Sequence, residues 1–354
     1  MTSWITRRRA FALLLALTLL PGPEPEYNVP FHRARELSIR SVALPPATAA
    51  ALGPFRPRGA WQLISNDIRF GGYSALIPRE PGRLLAISDR GAWLEFAEPA
   101  MGVAAKSRDH AMDHVLPNRK EWTSITDSEA ATSDSDFGGA GSRIWISWED
   151  RRAISRFTAT RETPWADEGR TFPKPIGKWS AQFGAEAMVR LNSGRFIVVS
   201  EAFAPRSYER RHQTLLFDGD PAGTGPVRAL RGALVADEGY RPTDLARLPD
   251  GRVLVLLRQL VWPLPMRFSC RIAIADPEDL RRTGRWHAQT LARLDPPLPA
   301  DNYEALAVRP RRDGKLDVWV MSDDNRNSTQ RSLLLKLELT PADLPPRRAP
   351  KLRQ

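Results

Sequence analysis

The sequence predicts an all-β fold, a β-propeller of five blades. Short apolar runs bounded by Gly, Pro and Asp recur throughout the chain, whereas long helical periodicities are hard to find. Similar stretches also return at a near-constant spacing, at residues 71–91, 127–151, 184–203, 241–259 and 301–325. An all-strand repeat of this length suits four strands with their loops, so each copy predicts one blade and disfavours a solenoid.

Every copy has the same internal order: a small or acidic residue, an apolar strand, a Gly turn, a second apolar strand and a polar ending. The strands at 35–44 and 331–339 together supply about one further period of blade material. We therefore expect the N- and C-terminal strands to complete the last blade jointly. A degenerate copy within residues 36–70 would instead give six blades. The opening polar positions are Ser74, Glu129, Glu186, Asp244 and Glu304, with spacings of 55, 57, 58 and 60 residues.

A second polar residue mirrors the first around the turn of each copy. The mirrored pairs are Ser74 with Asp89, Glu129 with Glu149, Glu186 with Glu201, Asp244 with Arg258, and Glu304 with Asp323. Residues equidistant from a hairpin turn face each other across two antiparallel strands. Because the first strand of each propeller blade lines the central channel, we expect a polar ring at one mouth of that channel.

Such a ring concentrates negative charge and therefore needs neutralisation. Two carboxylates about 4 Å apart repel by roughly 1 kcal/mol in water and by about 4 kcal/mol at an effective dielectric constant of 20. A cation, arginine partners or shared protons would relieve this repulsion, and Arg90, Arg151, Arg258 and Arg331 are close enough in the pattern to take part. Hard oxygen ligands favour Ca²⁺ or Mg²⁺. A structural role is the alternative, because acids at strand ends commonly accept backbone N–H groups.

The N-terminus predicts export. Residues 1–22 combine a basic start, an apolar run from Ala10 to Leu20 and a Pro-rich break, and Arg8-Arg9 fits a twin-arginine signal. No clear A-x-A site follows, so retention as an N-terminal anchor stays open. We expect a periplasmic or exported protein. The domain prediction is a signal or anchor at 1–22, a Pro/Ala/Arg-rich linker with the first strand at 23–60, the propeller at 61–340 and a disordered basic tail at 341–354.

Composition excludes several functional classes. The net charge of +11 comes from 45 Arg and 7 Lys spread along the chain, without a zinc-finger spacing or an RNA-binding signature, so no nucleic-acid partner is expected. Cys270 is the only cysteine, which excludes a disulfide framework and a thiolate metal site. We expect a monomer that contacts the membrane only through its N-terminal segment.

The repeats resemble the bacterial family known as esterase-like activity of phytase. The resemblance covers roughly residues 60–340 and implies a propeller whose recurrent acids are suspected of phosphoester or phosphodiester hydrolysis. This chain departs from the family pattern because Ser74 replaces an acid and because Ala75, Ala130, Ala187 and Ala305 stand where Gly is usual. The matching stretches are FGGYSAL with LAISDRG, SEA with WISWEDR, GAEAMVRLNSGRFIVVSE, PTDLARLPDGRVLVLLR, and DNYEALAV with MSDDN and TQRSLLLKLEL.

These observations predict an exported hydrolase of a small phosphate ester or another anionic substrate. Ca²⁺ is the expected cation, with Mg²⁺ as the alternative. Glu129 or Glu149 is expected to act as general base. The alternative is a non-catalytic periplasmic propeller that binds a ligand or a protein. The expected catalytic residues are Glu129, Glu149, Glu186, Glu201, Asp244 and Glu304; the substrate-binding residues are Arg90, Arg258 and Arg331; the metal ligands are Asp89, Glu186, Glu201, Glu304 and Asp323.

Overall fold

The computed structural model describes residues 36–79, 82–100, 105–107, 110–115, 127–136, 139–149, 151–159, 166–179, 184–203, 211–262, 267–327 and 329–347. Nearly all regular structure in these ranges is strand, and the strands form five sheets. The helices in these ranges are short: α1 (Thr48–Ala51), α2 (Pro277–Thr283) and the 3₁₀ helices η1 (Ile176–Lys178) and η2 (Pro341–Asp343). The all-β prediction is confirmed.

Each sheet is one blade of a propeller, and its first-named strand is the inner one. Blade 1 contains β3 (Tyr73–Arg79), β4 (Arg83–Ser88), β5 (Ala92–Ala97) and β7 (His110–His114). Blade 2 contains β8 (Ser128–Ser133), β9 (Arg143–Trp148), β10 (Ala153–Thr158) and β11 (Ala166–Thr171). Blade 3 contains β12 (Ala185–Arg190), β13 (Phe196–Phe203), β14 (Arg211–Phe217) and β15 (Ala229–Val235), with β19 (Arg285–His287) added in parallel.

The last two blades complete the ring. Blade 4 contains β16 (Arg241–Arg247), β17 (Val253–Val261), β18 (Arg267–Ala275) and β20 (Gln289–Arg293). Blade 5 contains β21 (Tyr303–Pro310), β22 (Leu316–Ser322), β23 (Ser332–Leu339), β2 (Phe55–Ile64), β1 (Leu37–Ser41) and β6 (Ala105–Ser107). The inner strands touch in the cyclic order β3, β8, β12, β16, β21 and back to β3. The five-blade prediction is confirmed and the six-blade alternative is excluded.

Blade 5 joins the two ends of the described chain. Strand β2 pairs with β23 from Phe55 opposite Leu339 to Leu63 opposite Ser332, so an N-terminal strand completes a C-terminal sheet as predicted. We expected the strand at 35–44 to close the blade. That strand, β1, pairs with β2 and β6 instead, and β2, the next strand along the chain, is the one that pairs with β23. The linker boundary predicted after residue 60 therefore cuts through β2.

The hydrophobic core is divided among the blade interfaces. Five clusters of buried residues each join the facing sides of two neighbouring blades. Trp61 and Trp319, for example, lie with ring centroids 6.0 Å apart in the cluster between blades 5 and 1. Fully burying a large apolar side chain contributes roughly 1.5 to 3 kcal/mol, so these interfaces stabilise the ring that positions the channel residues.

The structure describes more of the C-terminal end of the chain than of the N-terminal end. The predicted export segment at 1–22 lies outside the described residues. At the other end, residues 341–347 of the predicted disordered tail pack on the propeller: Leu344 is buried, and Arg252 Nη1 donates to the Pro345 carbonyl at 2.6 Å. The rest of the predicted tail, 348–354, lies outside the described residues. None of the helices in the described ranges has the length and apolar character needed to cross a bilayer.

Candidate functional site

The same backbone irregularity occurs in the first hairpin of every blade. The pairing register between the first and second strands shifts by one residue near the open end of the hairpin, which leaves one bulged residue in each first strand. A β-bulge bends its strand and redirects a side chain. The bulged residues are Ser74, Glu129, Glu186, Thr243 and Glu304.

Three equivalent positions per blade therefore define the channel mouth, and the bulge is one of them. The leading position, two residues before the bulge, is held by Gly72, Asp127, Gly184, Arg241 and Asn302. The trailing position, in or just after the second strand, is held by Asp89, Glu149, Glu201, Arg258 and Asp323. We call these fifteen positions the ring.

The mirrored residues do not face each other directly, which corrects the prediction. The leading and trailing residues pair instead: the N–H of Glu149 donates to the carbonyl of Asp127 at 2.9 Å, and Arg241 lies opposite Arg258. In blades 1, 2, 3 and 5 the mirror count is wrong by two residues, because the pairs nearer the turn are already offset by one residue and the bulge offsets the pairs beyond it by one more. The predicted pairs are neighbours within one hairpin end rather than facing partners.

Asp244 is not a ring residue. The bulge in blade 4 is at Thr243, so the sequence alignment placed this copy one residue too late. Asp244 takes the following position, which is Ala in the other four blades. Its Oδ1 accepts the N–H of Leu245 and its Oδ2 accepts the N–H of Leu306 in blade 5, both at 2.7 Å. Asp244 therefore braces blades 4 and 5, which corrects its predicted place in the ring, while its catalytic role stays a prediction.

Blade 2 brings three carboxyl groups together. One oxygen each of Asp127, Glu129 and Glu149 lie within 4.8 Å of one another. We call these residues the blade 2 triad. Glu149 Oε1 also accepts the N–H of Gly184 in blade 3 at 2.5 Å. Among the described residues, no Arg or Lys forms an ion pair with the triad. The predicted metal ligands include none of these three, so the most compact acidic group lies elsewhere in the ring than expected.

Burial raises the pKa of the triad glutamates. Desolvation raises the pKa of Glu149 to about 7, and Asp127 adds to this shift while the Gly184 N–H opposes it. Desolvation also raises the pKa of Glu129 well above its ordinary value, with further contributions from the charges of Glu186 and Asp127. A divalent cation would oppose these pKa shifts, since it stabilises ionised carboxylates at short range. The oxygen donors of the triad fit Ca²⁺ or Mg²⁺.

Blade 4 supplies two arginines that neutralise carboxylates of blades 3 and 5. The guanidinium of Arg258 forms ion pairs with Glu304 and, through Nη2 at 3.4 Å, with Glu201 Oε1. Arg241 Nη1 lies 3.1 Å from Glu201 Oε2. Glu186 is buried, and desolvation raises its pKa well above the ordinary value, with Glu201 raising it further and Arg258 opposing the shift. These ion pairs occupy Glu201 and Glu304, two of the four acids that were predicted to bind metal in blades 3 and 5.

Blades 5 and 1 share the rest of the acidic ring. Desolvation raises the pKa of Asp323 well above its ordinary value and that of Asp89 to about 6, and the charge of Glu304 raises both further. Arg90 and Arg326 oppose the shift of Asp89. Asp89 comes close to the backbone here because Gly72, with a φ of +70°, has no side chain: a Cβ would lie 2.3 Å from Asp89 Oδ1.

The two remaining predicted arginines differ in position. Arg90 follows Asp89 and acts electrostatically on it, so it belongs to the mouth. Arg331 is instead paired with Asp301: its Nε lies 3.5 Å from Asp301 Oδ2, and its backbone N–H donates to the same atom at 3.2 Å. Arg331 is not among the main causes of the pKa shifts of the ring carboxyls. The substrate-binding role of Arg331 stays a prediction.

The opposite end of the channel is crossed by an ion pair. Arg247, at the end of β16, reaches Asp136 of blade 2 with Nε at 2.9 Å and Nη2 at 2.7 Å, and its Nη1 donates to the Ser133 carbonyl at 2.7 Å. Blades 2 and 4 are not neighbours in the ring, so this contact spans the channel. The acidic mouth is therefore the chemically distinct end.

Sequence reasoning missed Asp127, Arg241 and Arg326. Asp127 and Arg241 share the leading position, and aligning the copies on their Gly turns rather than on their first acids would have exposed that position. Arg326 lies in the loop after β22, outside the repeat pattern, and acts electrostatically on Asp89. No spacing in the sequence indicates that contact.

The fold and mouth define a class, a five-bladed propeller with an acidic ring at one end of its channel. A model of the phytase-like family, described as esterase-like activity of phytase, matches residues 68–326. The match covers well over half of the 354 residues, so the chain belongs to this family. The resemblance drawn from the repeats is thereby confirmed. Among curated proteins no match was found.

Several solved structures resemble the fold. An exo-1,5-α-L-arabinanase from a bovine ruminal metagenomic library has 12% identity and a TM-score of 0.42, covering 75% of this chain and 92% of its own. A luciferin-regenerating enzyme has 10% identity and a TM-score of 0.38, with 76% and 92% covered. The PQQ domain of pyranose dehydrogenase from Coprinopsis cinerea has 11% identity and a TM-score of 0.38, with 89% and 99% covered. At these scores the likenesses say nothing about activity.

Proposed function

We propose that this protein is a metal-assisted hydrolase of phosphate esters, in which the blade 2 triad holds Ca²⁺ or Mg²⁺. The observation that carries the proposal is the convergence of Asp127, Glu129 and Glu149 oxygens within 4.8 Å, without an ion pair to the described Arg and Lys residues. Three partly buried carboxylates at this separation repel strongly unless they bind a cation or share protons. Membership of the phytase-like family supports phosphoester hydrolysis as the reaction class.

The chain supplies the remaining groups from neighbouring blades. A bound divalent cation would polarise a phosphoryl oxygen and make bound water a better nucleophile. Glu186 raises the pKa of Glu129 and is itself buried with a raised pKa, so it is positioned to hold or release a proton next to the triad. Arg241, about two-fifths exposed, faces the mouth from blade 4 and would contact the anionic substrate.

The proposal is tested by turnover and cation binding measured separately. We expect release of p-nitrophenol from p-nitrophenyl phosphate or its diester in the presence of Ca²⁺ or Mg²⁺, and loss of release in chelator. Glu186→Gln should lower the rate by about 10²-fold or more and remove one limb of the pH profile. Asp127→Asn should weaken Tb³⁺ binding, read as sensitised luminescence, by about tenfold or more.

Glu238→Gln is the matched control, because Glu238 is exposed and lies outside the ring. It should change neither turnover nor Tb³⁺ luminescence. Absence of cation-stimulated release from monoesters, diesters and phytate would contradict the hydrolase. Unchanged Tb³⁺ binding in Asp127→Asn and Glu149→Gln would contradict the assignment of the triad.

A non-catalytic propeller is the second candidate, and the backbone contacts of the acids favour it. Glu149 binds the N–H of Gly184 in the next blade, and Asp323 Oδ1 accepts the N–H of Asn325 at 2.7 Å. In this reading a cation would stabilise the ring while a ligand binds above it. A melting temperature that falls in chelator, in a protein without turnover, would favour this candidate. Turnover lost in Glu186→Gln with unchanged melting would favour the enzyme.

We also propose that the protein acts outside the cytoplasm. The support is the sequence of residues 1–22, with its basic start, apolar run and Arg8-Arg9 pair. Replacing both arginines with Lys should retain a reporter fusion in the cytoplasmic fraction, whereas the unchanged segment should direct it to the periplasm or the membrane. Equal distribution of the two fusions would contradict the twin-arginine route.

A further inference from the structure

Charge is distributed unevenly around the ring. In blade 2 the leading, bulge and trailing positions are all acidic. In blade 4 the same three positions are Arg241, Thr243 and Arg258, and it is the blade in the ring that presents no carboxylate there. Each of the other four presents at least one. Arg241 and Arg258 already pair with Glu201 and Glu304, and blade 4 is the part of the mouth where positive charge is concentrated, so an anionic group is best placed beside it.

Blade 4 also projects beyond the ring. Its inner strand β16 begins at Arg241, opposite Arg258, but β17 and β18 continue through three more residue pairs, ending with Val261 opposite Arg267. At about 3.4 Å per residue, the hairpin rises roughly 10 Å past the ring. In blades 1 and 2 the second strand ends just before the trailing residue, so their corresponding turns stay at the level of the ring.

One face of this projecting hairpin is apolar. Side chains alternate along a strand, so Leu260 lies on the same face as Arg258. Phe268 is the cross-strand partner of Leu260, and the Arg258 guanidinium carbon lies 5.8 Å from the Phe268 ring centroid. Trp262 follows at the end of β17. The face therefore carries an arginine at the level of the ring and apolar side chains above it.

Two of these apolar side chains are unusually accessible, whereas Phe268 is partly buried and packs against the core cluster between blades 4 and 5. Leu260 is 44% exposed and Trp262 is 55% exposed. Among the described residues only two other large apolar side chains, Phe172 and Leu230, are exposed to a comparable degree. Isolated exposed apolar residues are common, but here two lie within four residues of a ring arginine on the same projecting strand end.

We propose that the β17–β18 hairpin is an apolar subsite for the substrate, and that the substrate class is small anionic esters with an alkyl or aryl group. The anionic end would lie beside Arg241 and Arg258, and the apolar group would cover Leu260, Phe268 and Trp262. The charge of blade 4 and the apolar face above it are complementary to the two ends of such a molecule. This inference rests on the proposed function for the reaction, but binding alone tests it.

The test compares non-hydrolysable phosphonates by isothermal titration calorimetry on the full chain, with and without Ca²⁺. Hexylphosphonate should bind at least about tenfold more tightly than methylphosphonate, because burying even part of the added chain exceeds the energy that tenfold requires. The double variant Leu260→Ser, Trp262→Ser should lose this preference. Arg241→Gln should weaken both phosphonates by a similar factor, and hexanol, which lacks the anionic group, should bind far more weakly than hexylphosphonate.

Phe172→Ser is the matched control, because Phe172 is 64% exposed and lies after β11, the outer strand of blade 2. It should keep the full chain-length preference. Thermal melting of each variant checks folding. The fluorescence of Trp262, obtained as the difference between wild type and Trp262→Ser, should shift to shorter wavelength when hexylphosphonate binds.

Several results would overturn the inference: no binding of either phosphonate, equal affinity for both, or a preference that persists in the double variant. Sedimentation with anionic lipid vesicles that is lost in the double variant, together with equal phosphonate affinities, would assign the hairpin to a membrane surface instead. Phosphonate preference without turnover would contradict the hydrolase and leave the subsite standing. Turnover without a chain-length preference would contradict the apolar subsite and leave the hydrolase standing.

Discussion

Gly184 lies where blades 2 and 3 meet, and its missing side chain makes room for the carboxylate of Glu149. Its N–H donates to Glu149 Oε1 at 2.5 Å. A Cβ at this position would lie 2.6 Å from Glu149 Cγ and 3.1 Å from its Cα. The glycine thus allows the first strand of blade 3 to approach the triad closely, and the position of Glu149 depends on a residue that carries no chemistry.

Replacing Gly184 with Ala tests this dependence. We expect Gly184→Ala to lower the free energy of unfolding by about 1 to 3 kcal/mol, because the added methyl group must displace Glu149 or its backbone. Tb³⁺ binding should weaken in parallel. Gly219→Ala is the control, since a Cβ there meets no atom within 4 Å, and its effect should stay within about 0.5 kcal/mol. Equal effects of the two substitutions in urea titration would contradict the steric argument.

Glu338 is a buried carboxylate whose pKa is lowered, in contrast to the raised pKa values of the ring carboxyls. Its side chain is almost fully covered and accepts hydrogen bonds from Arg58 Nη2 at 2.7 Å, Arg311 Nη1 at 2.9 Å and Lys315 Nζ at 3.0 Å. The hydrogen bonds from Arg58 and Lys315 lower the pKa of Glu338 to about 2. The ionised form is therefore favoured by folding.

The sign of this shift fixes a pH dependence. A lowered carboxyl pKa gives stability that is complete above the unfolded pKa, near 4.5, and is lost as the pH falls toward 2. We expect Glu338→Gln to cost about 2 kcal/mol at pH 7 and to flatten the loss of stability between pH 4.5 and 2, measured by denaturant titration. Glu238→Gln should follow the wild-type profile. If the stability of Glu338→Gln falls between pH 4.5 and 2 in parallel with that of the wild type, Glu338 is not the source of this loss.

The ring shows which residues could be predicted from the sequence. Glu129, Glu186 and Glu304 were found because the repeats place an acid at the bulge in three blades. Thr243 was missed because Asp244, one residue later, satisfies the same pattern. The bulge leaves no mark in the repeat spacing, because the first strand of every copy carries the same extra residue. The ion pairs of Arg258 join residues of two other blades, and a local sequence pattern cannot predict which distant residues the fold brings together.

At the level of elements, the hairpins were the most predictable part. Alternating apolar residues on either side of a Gly turn define both strands and their turn, and each predicted copy contains the first two strands of a blade. The outer strands were less predictable. Strand β2 was assigned largely to a linker because its first residues, FRPRG, include Pro57 and charged residues, which are typical of connections. Its partner β23 supplies the hydrogen bonds that make it a strand.

The pairing of β2 with β23 predicts a sharp dependence on the N-terminal strands. Removing residues 1–64 would delete β1 and β2, leave an open edge on β23 and expose core residues such as Trp319 and Leu335. We expect this protein to aggregate or to lose its cooperative melting transition. Removing residues 1–35 leaves both strands and should preserve a cooperative transition. A soluble, cooperatively melting protein after removal of residues 1–64 would contradict the closure.

At the scale of the whole molecule, the acidic ring sets the pH response. Folding raises the pKa of Asp89 to about 6 and of Glu149 to about 7, and raises those of Glu129, Glu186 and Asp323 well above their ordinary values. A raised carboxyl pKa gives stability that is complete below the unfolded pKa and is lost as the pH rises through the folded pKa. The folded ring therefore favours protons or a cation.

We expect the melting temperature in chelator to fall as the pH rises from 5 to 8. Millimolar Ca²⁺ should remove most of this fall, because the cation replaces the protons on the carboxylates. His212 opposes the trend, since burial lowers its pKa and stability is lost as this group gains a proton in the unfolded chain, but it is a single group. A melting temperature that rises steadily from pH 5 to 8 in chelator would contradict the electrostatic account of the ring.

Closure of blade 5 also orders events during synthesis. Arg58 and its partner Glu338 are 280 residues apart, and the strand that meets β2 is the last of the described strands to be made. While the ribosome is still translating, β2 has no counterpart, and the circle stays open until the closing residues leave the exit tunnel. A chain that stops before β23 therefore leaves β2 without its partner and the ring open, however complete the other four blades are.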